Sequence, residues 1–221
     1  MNFLQLLKDS LPSLFSGLLV TLEMAICSII FATLLWIIFG IFRISRSKIL
    51  QCISGLYIDI IRGTPLLIQG LFLFFGVGQL LNIRFNPIVA GIICLSLNAG
   101  AYMAEIFRGG IMAVDIGQSE AARSLGLGYY KTLKKIVIPQ AIKIIIPSMI
   151  NQFITTLKDT SILSVISIRE LTQSGQIIIA RTYLPFQIYT IVAVMYFIIV
   201  KILTIMSKQV ERNLLHGYRS W

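Results

Sequence analysis

Between Ser13 and Phe42 the chain is apolar apart from Glu23 and a few hydroxyl-bearing residues. A helix needs about 20 such residues to cross the hydrocarbon of a bilayer. Lipid offers the backbone no hydrogen-bond partner, so a crossing run of this kind can only be a helix. The run is longer than a crossing requires, which predicts tilt. Further apolar stretches follow at Ile49–Leu81, Ile88–Val114, Ile138–Ile166 and Phe186–Met206. The fold expected is an all-α integral membrane protein of about five transmembrane helices, forming a single domain over residues 1–221. No linker-like shift in composition divides it.

Composition excludes the soluble alternatives. The chain is 57% hydrophobic and 13% charged, with a mean hydropathy of +0.86, whereas soluble domains carry about 25% charged residues. A net charge of +10 would in a soluble protein suggest nucleic acid. Here the basic residues gather in particular loops between spans, and no basic face is left to hold a phosphate backbone. Cys27, Cys52 and Cys94 stand singly and read as small core residues. His216 reads as a solvated or interfacial side chain. The first apolar run is too long for a cleaved signal, and residues 1–12, with Lys8, Asp9 and Pro12, are expected to form a short interfacial segment.

Loop charge predicts orientation. One set of loops holds Arg43, Arg46, Lys48, Arg108, Arg123, Lys131, Lys134, Lys135, Lys208, Arg212 and Arg219; the other holds Lys8, Arg84, Arg169 and Arg181. The positive-inside rule then places the N-terminus outside and the C-terminus in the cytoplasm. Within the second span, Arg62-Gly63-Thr64-Pro65 predicts a bend, because Pro65 cannot donate a helix hydrogen bond. Leu81–Pro87 reads as a turn, and Ser167–Pro185 as a polar segment.

Ionisable and polar residues inside a span are costly and mark function. In the third span Asn98, Ala101, Tyr102 and Glu105 share one helical face. Ala99, Gly100 and Ala104 allow neighbouring helices to pack closely. Glu105 is placed either at a substrate or in a structural ion pair with Arg108, three residues on. In the fourth span Lys158-Asp159-Thr160-Ser161 interrupts the apolar run after Asn151, Gln152, Thr155 and Thr156. A broken helix lining a cavity accommodates them best; the plainer reading has Lys158 snorkelling and Asp159 paired locally. In the second span Asp59 and Arg62 stand at pairing distance, with Gln69 on much the same face. Glu23 has no partner at helical spacing. The substrate candidates are therefore Arg62, Gln69, Asn98, Tyr102, Glu105, Lys158, Asp159 and Ser161.

Asp115–Gln140 is a polar interruption between the third and fourth spans. Ser119 and Glu120 suit a helix start, Ala121 and Ala122 leave room for a close partner, and Gly126 suits a helix stop. Pro139 suits the first turn of the next helix. On the charge rule this loop is cytoplasmic.

Glu120-Ala121-Ala122, then Gly126, Ile136, Ile138 and Pro139 at these spacings resemble the EAA loop of binding-protein-dependent ABC importer permeases. Ile138 stands where Leu is frequent. Ile61–Gln69 (IRGTPLLIQ), Ala101–Ile111 (AYMAEIFRGGI) and Lys158–Ile166 (KDTSILSVI) resemble segments of the polar amino-acid permeases of that family. The resemblance covers most of Leu18–Ile166. It implies that residues 115–140 hold a cytoplasmic coupling helix that docks on an ATPase through Glu120, Ala121, Ala122, Ser124 and Gly126. It also implies an assembly of two permease chains, identical or different, two ABC ATPase subunits and an extracytoplasmic amino-acid-binding protein. The chain has no G-x-x-x-x-G-K-[ST] loop, so it is expected to hydrolyse nothing and hold no cofactor, with ATP and Mg on the partner ATPase.

Three other readings are weaker. A proton-coupled secondary transporter would show repeated halves, and none is found. Gly76-Val77-Gly78 is too little for a channel filter. No His lies within a span, and no metal-spaced cluster or nucleophile–base pair can be assembled for an intramembrane enzyme. Acidic Glu105 and Asp159 favour a basic amino acid (arginine, lysine or histidine), with glutamine or another polar amino acid as the alternative. Counted along the helices, Asp159 falls in the outer half of the bilayer and Glu105 in the inner half, so a break or tilt is needed to bring both to one ligand.

Overall fold

The structure, a computed structural model, describes the backbone of residues 3–216 and the side chains of residues 4–212. The side chain of His216 and the whole of Arg219 lie outside the described residues. Ten α-helical pieces follow in order among the described residues. These are α1 (Phe3–Ile44), α2 (Lys48–Gly63), α3 (Leu66–Leu71), α4 (Gly78–Leu81) and α5 (Pro87–Met112), then α6 (Ile116–Ser124), α7 (Tyr129–Thr132), α8 (Ile138–Asp159), α9 (Leu171–Thr182) and α10 (Pro185–His216). π-turns at Phe72–Val77 and Leu133–Val137 join α3 to α4 and α7 to α8, and a 3₁₀ segment, Thr160–Ile166, prolongs α8.

Within the described residues, α1, α5 and α10 are long and apolar enough to cross a membrane. α2 and the α3–α4 unit are long and apolar enough only when taken together, as a broken span or a re-entrant loop, and are bent by 104° where the sequence placed the break at Thr64-Pro65. α8 has the length for a crossing but carries Gln140, Lys143, Asn151 and Gln152, and it packs against α5, α1 and α10.

Several boundaries differ from the sequence reading. α1 runs unbroken through Pro12, so the helical part of residues 1–12 is no separate segment. Leu6, Leu14 and Leu18 lie on one face and bury against Leu171, Ile188 and Val192, and this packing outweighs one lost hydrogen bond at Pro12. Most of the polar segment 167–185 is the helix α9. Its N-terminal N–H groups are capped by the Glu170 carboxylate, which accepts from Thr172 at 2.9 Å and from Gln173 at 2.7 Å. At the start of α5, Asn86 caps Ile88 N–H at 2.9 Å and Pro87 fills the first turn.

α5 is the central helix, packed along α1 and crossed by α2 and α8. Its small residues set these approaches. A Cβ on Gly100 would stand 2.9 Å from Leu35 Cβ on α1, and one on Gly110 would stand 2.3 Å from Ile145 Cγ1 on α8. Polar contacts pin α2 across both neighbours. Tyr57 donates to the Leu97 carbonyl at 2.7 Å, Ser54 donates to the Phe39 carbonyl at 2.6 Å, and the Phe39 and Tyr57 rings stack at 4.2 Å.

Candidate functional site

The bend between α2 and α3 opens a recess of about 560 Å³ against α5 and α8. Arg62, Thr64 and Pro65 supply one wall, Asn98 and Tyr102 of α5 a second, and Gln152, Thr155 and Asp159 of α8 the third. Backbone chemistry explains the bend. Pro65 forces an extended conformation at Thr64 (φ −121°, ψ 144°), which frees the last carbonyls of α2. Gln69 folds back to meet them, its Nε2 donating to Ile61 O at 2.7 Å and Thr64 O at 3.0 Å. Its Oε1 accepts from Asn98 Nδ2 at 3.3 Å. Gln69 therefore stands behind the recess as a brace and is not among its lining residues.

The end of α8 is shaped by two hydroxyls. Thr160 donates to Leu157 O at 2.8 Å and Ser161 to Lys158 O at 2.7 Å, each reaching back three residues as the chain tightens into the 3₁₀ segment. The change of winding leaves Asp159 on the recess wall and Lys158 exposed. Ser161 is engaged with its own backbone and does not line the recess. Asp159 has no ion pair within 4.0 Å among the described residues.

The two acids are not brought to one recess wall. Glu105 accepts from Arg108 Nε through both oxygens at 3.0 Å and also from Arg108 Nη2, the structural ion pair that the sequence allowed. Arg62 approaches Glu105 at 3.9 Å and lies over the Tyr102 ring at 5.1 Å. That geometry replaces the Asp59–Arg62 pair expected from i, i+3 spacing; Asp59 is exposed. Arg62 thus stands between the recess and Glu105. Glu23 is exposed on α1.

Gln152 and Thr155 also line the recess, although they were not among the candidates. With Asp159 they follow i, i+3, i+7 spacing on α8, the same signal that united the α5 face, so the sequence did carry it. No sequence signal singled out Glu170, whose side chain is fully buried.

The polar loop between α5 and α8 departs from the reading at two points. Helix α6 begins at Ile116, not at Ser119, because Asp115, three residues past the end of α5, caps Gly117 N–H at 2.7 Å. Gly126 ends the helix at φ +82°, with its N–H to Arg123 O at 2.9 Å and Leu127 N–H to Ala122 O at 3.1 Å. The short α7 and the Leu133–Val137 π-turn lead into α8, where Pro139 stands in the first turn as the sequence predicts. Ala122 is only 5% exposed, so of the two alanines Ala121 alone joins Glu120, Ser124 and Leu125 on the open face.

Residues 33–216 match the model of the family described as binding-protein-dependent transport system inner membrane component. The chain is 37% identical to the arginine transport system permease protein ArtQ of Bacillus subtilis (strain 168), covering 92% of this chain and 93% of that one. It is 32% identical to the glutamine transport system permease protein GlnP of Escherichia coli (strain K12), covering 93% and 94%. The fold matches a chain from the crystal structure of an amino acid ABC transporter with histidines at TM-score 0.91 and 38% identity, over 96% of this chain and 99% of that chain. An inward-facing MetNI methionine ABC transporter chain shares the fold at TM-score 0.70 and 16% identity, over 97% and 99%.

Proposed function

The chain belongs to the family of binding-protein-dependent transport system inner membrane components, and from that premise we propose how it works as the permease subunit of an amino-acid ABC importer. The recess between α2, α5 and α8 takes the amino acid in transit, and a cationic amino acid suits it best. The observation that carries this reading is the presence of opposite charges, Arg62 and Asp159, on the walls of one recess otherwise lined by uncharged residues. A free amino acid brings a carboxylate and an ammonium group. Arg62 holds Glu105 only at 3.9 Å and can turn to the carboxylate. Asp159 has no ion-pair partner within 4.0 Å among the described residues and offers its charge to a cation, while Asn98, Gln152 and Thr155 supply hydrogen bonds. Glutamine is the second reading, favoured by relatives named as glutamine permeases; Asn98 and Gln152 would then pair with its amide.

In this reading α6 faces the cytoplasm and presents Glu120, Ala121, Ser124 and the Gly126 turn to one of two ABC ATPase subunits, which hold ATP and Mg. Gln140 at the start of α8 lies 3.5 Å from Gln118 of α6, so a shift of α6 is transmitted to α8 and Asp159. The N-terminus lies outside, where an amino-acid-binding protein delivers the ligand, and a second permease chain, identical or different, completes the pathway.

The test is binding and uptake of arginine, lysine, histidine and glutamine by the reconstituted complex. Asp159→Asn is expected to weaken cationic substrates by about tenfold or more and glutamine far less. If Asp159→Asn combined with Glu105→Gln leaves cationic transport intact while hydrolysis stays coupled, the acidic-site reading is wrong.

A further inference from the structure

Tyr57 of α2 lies outside the recess lining, and its hydroxyl donates to the Leu97 carbonyl of α5 at 2.7 Å. Leu97 stands well inside α5, where the helix ladder already supplies that carbonyl with a donor. The bond from Tyr57 is therefore an addition that α5 does not need for its own integrity. Its seat is built by three helices. Gly100 leaves the space on α5, since a Cβ there would stand 3.0 Å from the Tyr57 hydroxyl oxygen. On α1, the Phe39 ring stacks on Tyr57 at 4.2 Å and the Phe39 carbonyl takes the Ser54 hydroxyl at 2.6 Å.

The consequence of this seat lies further along α2. Ser54, Ile58 and Arg62 follow one another at i, i+4, i+8 on one face, and Ser54 and Ile58 are buried. Arg62 stands in the last turn. The chain then breaks at Thr64-Pro65 and leaves at 104°, so no continuing helix steadies that turn. Gln69 holds it from the far side, donating to Ile61 O and accepting from Asn98. One hold leaves a helix end free to roll about it. The second, Tyr57 on Leu97, fixes the roll. That roll decides where the Arg62 guanidinium falls, at 5.1 Å from the Tyr102 ring centre and 3.9 Å from Glu105, on the recess wall.

We propose that Tyr57 is a positioning residue for the substrate carboxylate: its bond to Leu97 sets the roll of α2 on α5 and so holds Arg62 at the recess. This rests on the recess reading above, in which Arg62 meets the carboxylate. Every α-amino acid brings that group, so the effect of Tyr57 is blind to the side chain in transit, whereas that of Asp159 is not.

The experiment uses the assembled complex in liposomes, with arginine and glutamine each as probe, and compares Tyr57→Phe, Arg62→Gln and the double variant. Tyr57→Phe keeps the ring on Phe39 and leaves the Leu97 carbonyl its helix donor. It is expected to raise Kd and KM for arginine and glutamine alike, about threefold to tenfold, while the maximum uptake rate holds. The effect should shrink toward nothing in the Arg62→Gln background. A tyrosine that only stabilised the fold would lower the thermal midpoint and the maximum rate and leave KM in place. Gly100→Ala, which crowds the same hydroxyl from α5, gives the same test should Tyr57→Phe fail to assemble. Unchanged KM in the variant that assembles, a rise for arginine alone, or losses that add in full with Arg62→Gln overturns the proposal. If Arg62→Gln weakens both amino acids and Tyr57→Phe neither, the positioning role fails and the recess reading stands; if Arg62→Gln changes nothing, both fall.

Discussion

Gln69 and Asn98 are joined amide to amide at 3.3 Å, so the residue that closes the bend of the second span also orients the α5 wall of the recess. The geometry of the site and the geometry of the break are one arrangement. Gln69 satisfies carbonyls that the extended Thr64-Pro65 step leaves without helix partners, and in a span no water stands ready to replace it.

Gln69→Leu is therefore expected to strand the Ile61 carbonyl and the Asn98 amide together. Leaving such groups unpaired costs about 1–3 kcal/mol each. Thermal unfolding of the purified complex should fall accordingly, with weaker amino-acid binding alongside it. An unchanged midpoint would mean that the bend is held by other contacts.

Arg108 keeps Glu105 occupied through both carboxylate oxygens. In Arg108→Gln, Arg62 becomes the nearest cation to Glu105 and is drawn away from the recess. Substrate affinity should drop severalfold and recover when Glu105→Gln is added, since Arg62 is then released again. Equilibrium binding to the three variants checks this, and no recovery in the double variant counts against Arg62 as the carboxylate partner.

Gly126 sits at φ +82°, where an L side chain is strained by about 1–2 kcal/mol. Gly126→Val should loosen the end of α6 while the spans remain inserted, and the variant is expected to lose ATPase on co-purification or to hydrolyse ATP without transport. Glu120→Lys, on the exposed face, should do the same by reversing a charge. Full co-purification and full coupling in both variants would remove α6 from the docking role.

Gly110 and Ile145 mark the crossing of α5 and α8. An added Cβ at Gly110 would meet Ile145 Cγ1 at 2.3 Å, and overpacking of this kind costs about 1–3 kcal/mol. Gly110→Ala should lower the unfolding midpoint, and Ile145→Ala in the same chain should restore part of it. Additive losses in the double variant would show that the two residues do not share the crossing.

The sequence alone determined the all-helical membrane class, the break at Arg62–Pro65, the shared face of Asn98 and Tyr102, the stop at Gly126 and the family resemblance. These rest on local physics: apolar run length against bilayer thickness, the missing N–H of proline, helical spacing, and the conformation that glycine alone adopts freely. Tertiary structure decided which polar groups meet. Arg62 could pair with Asp59 by spacing, yet the tilt of α2 across α5 carries it to Tyr102 and Glu105. Gln69, which reads as one more polar residue on a helix face, is turned back by the 104° bend to brace it. Residues 1–12, with Pro12, read as a segment apart from the first span, but packing of Leu6 and Leu14 carries α1 unbroken through Pro12. Glu170 shows the limit most plainly. Nothing in its neighbours along the chain marks it, because its third hydrogen-bond donor, Tyr196, arrives from a different helix, and a contact between distant segments is set by how whole helices pack.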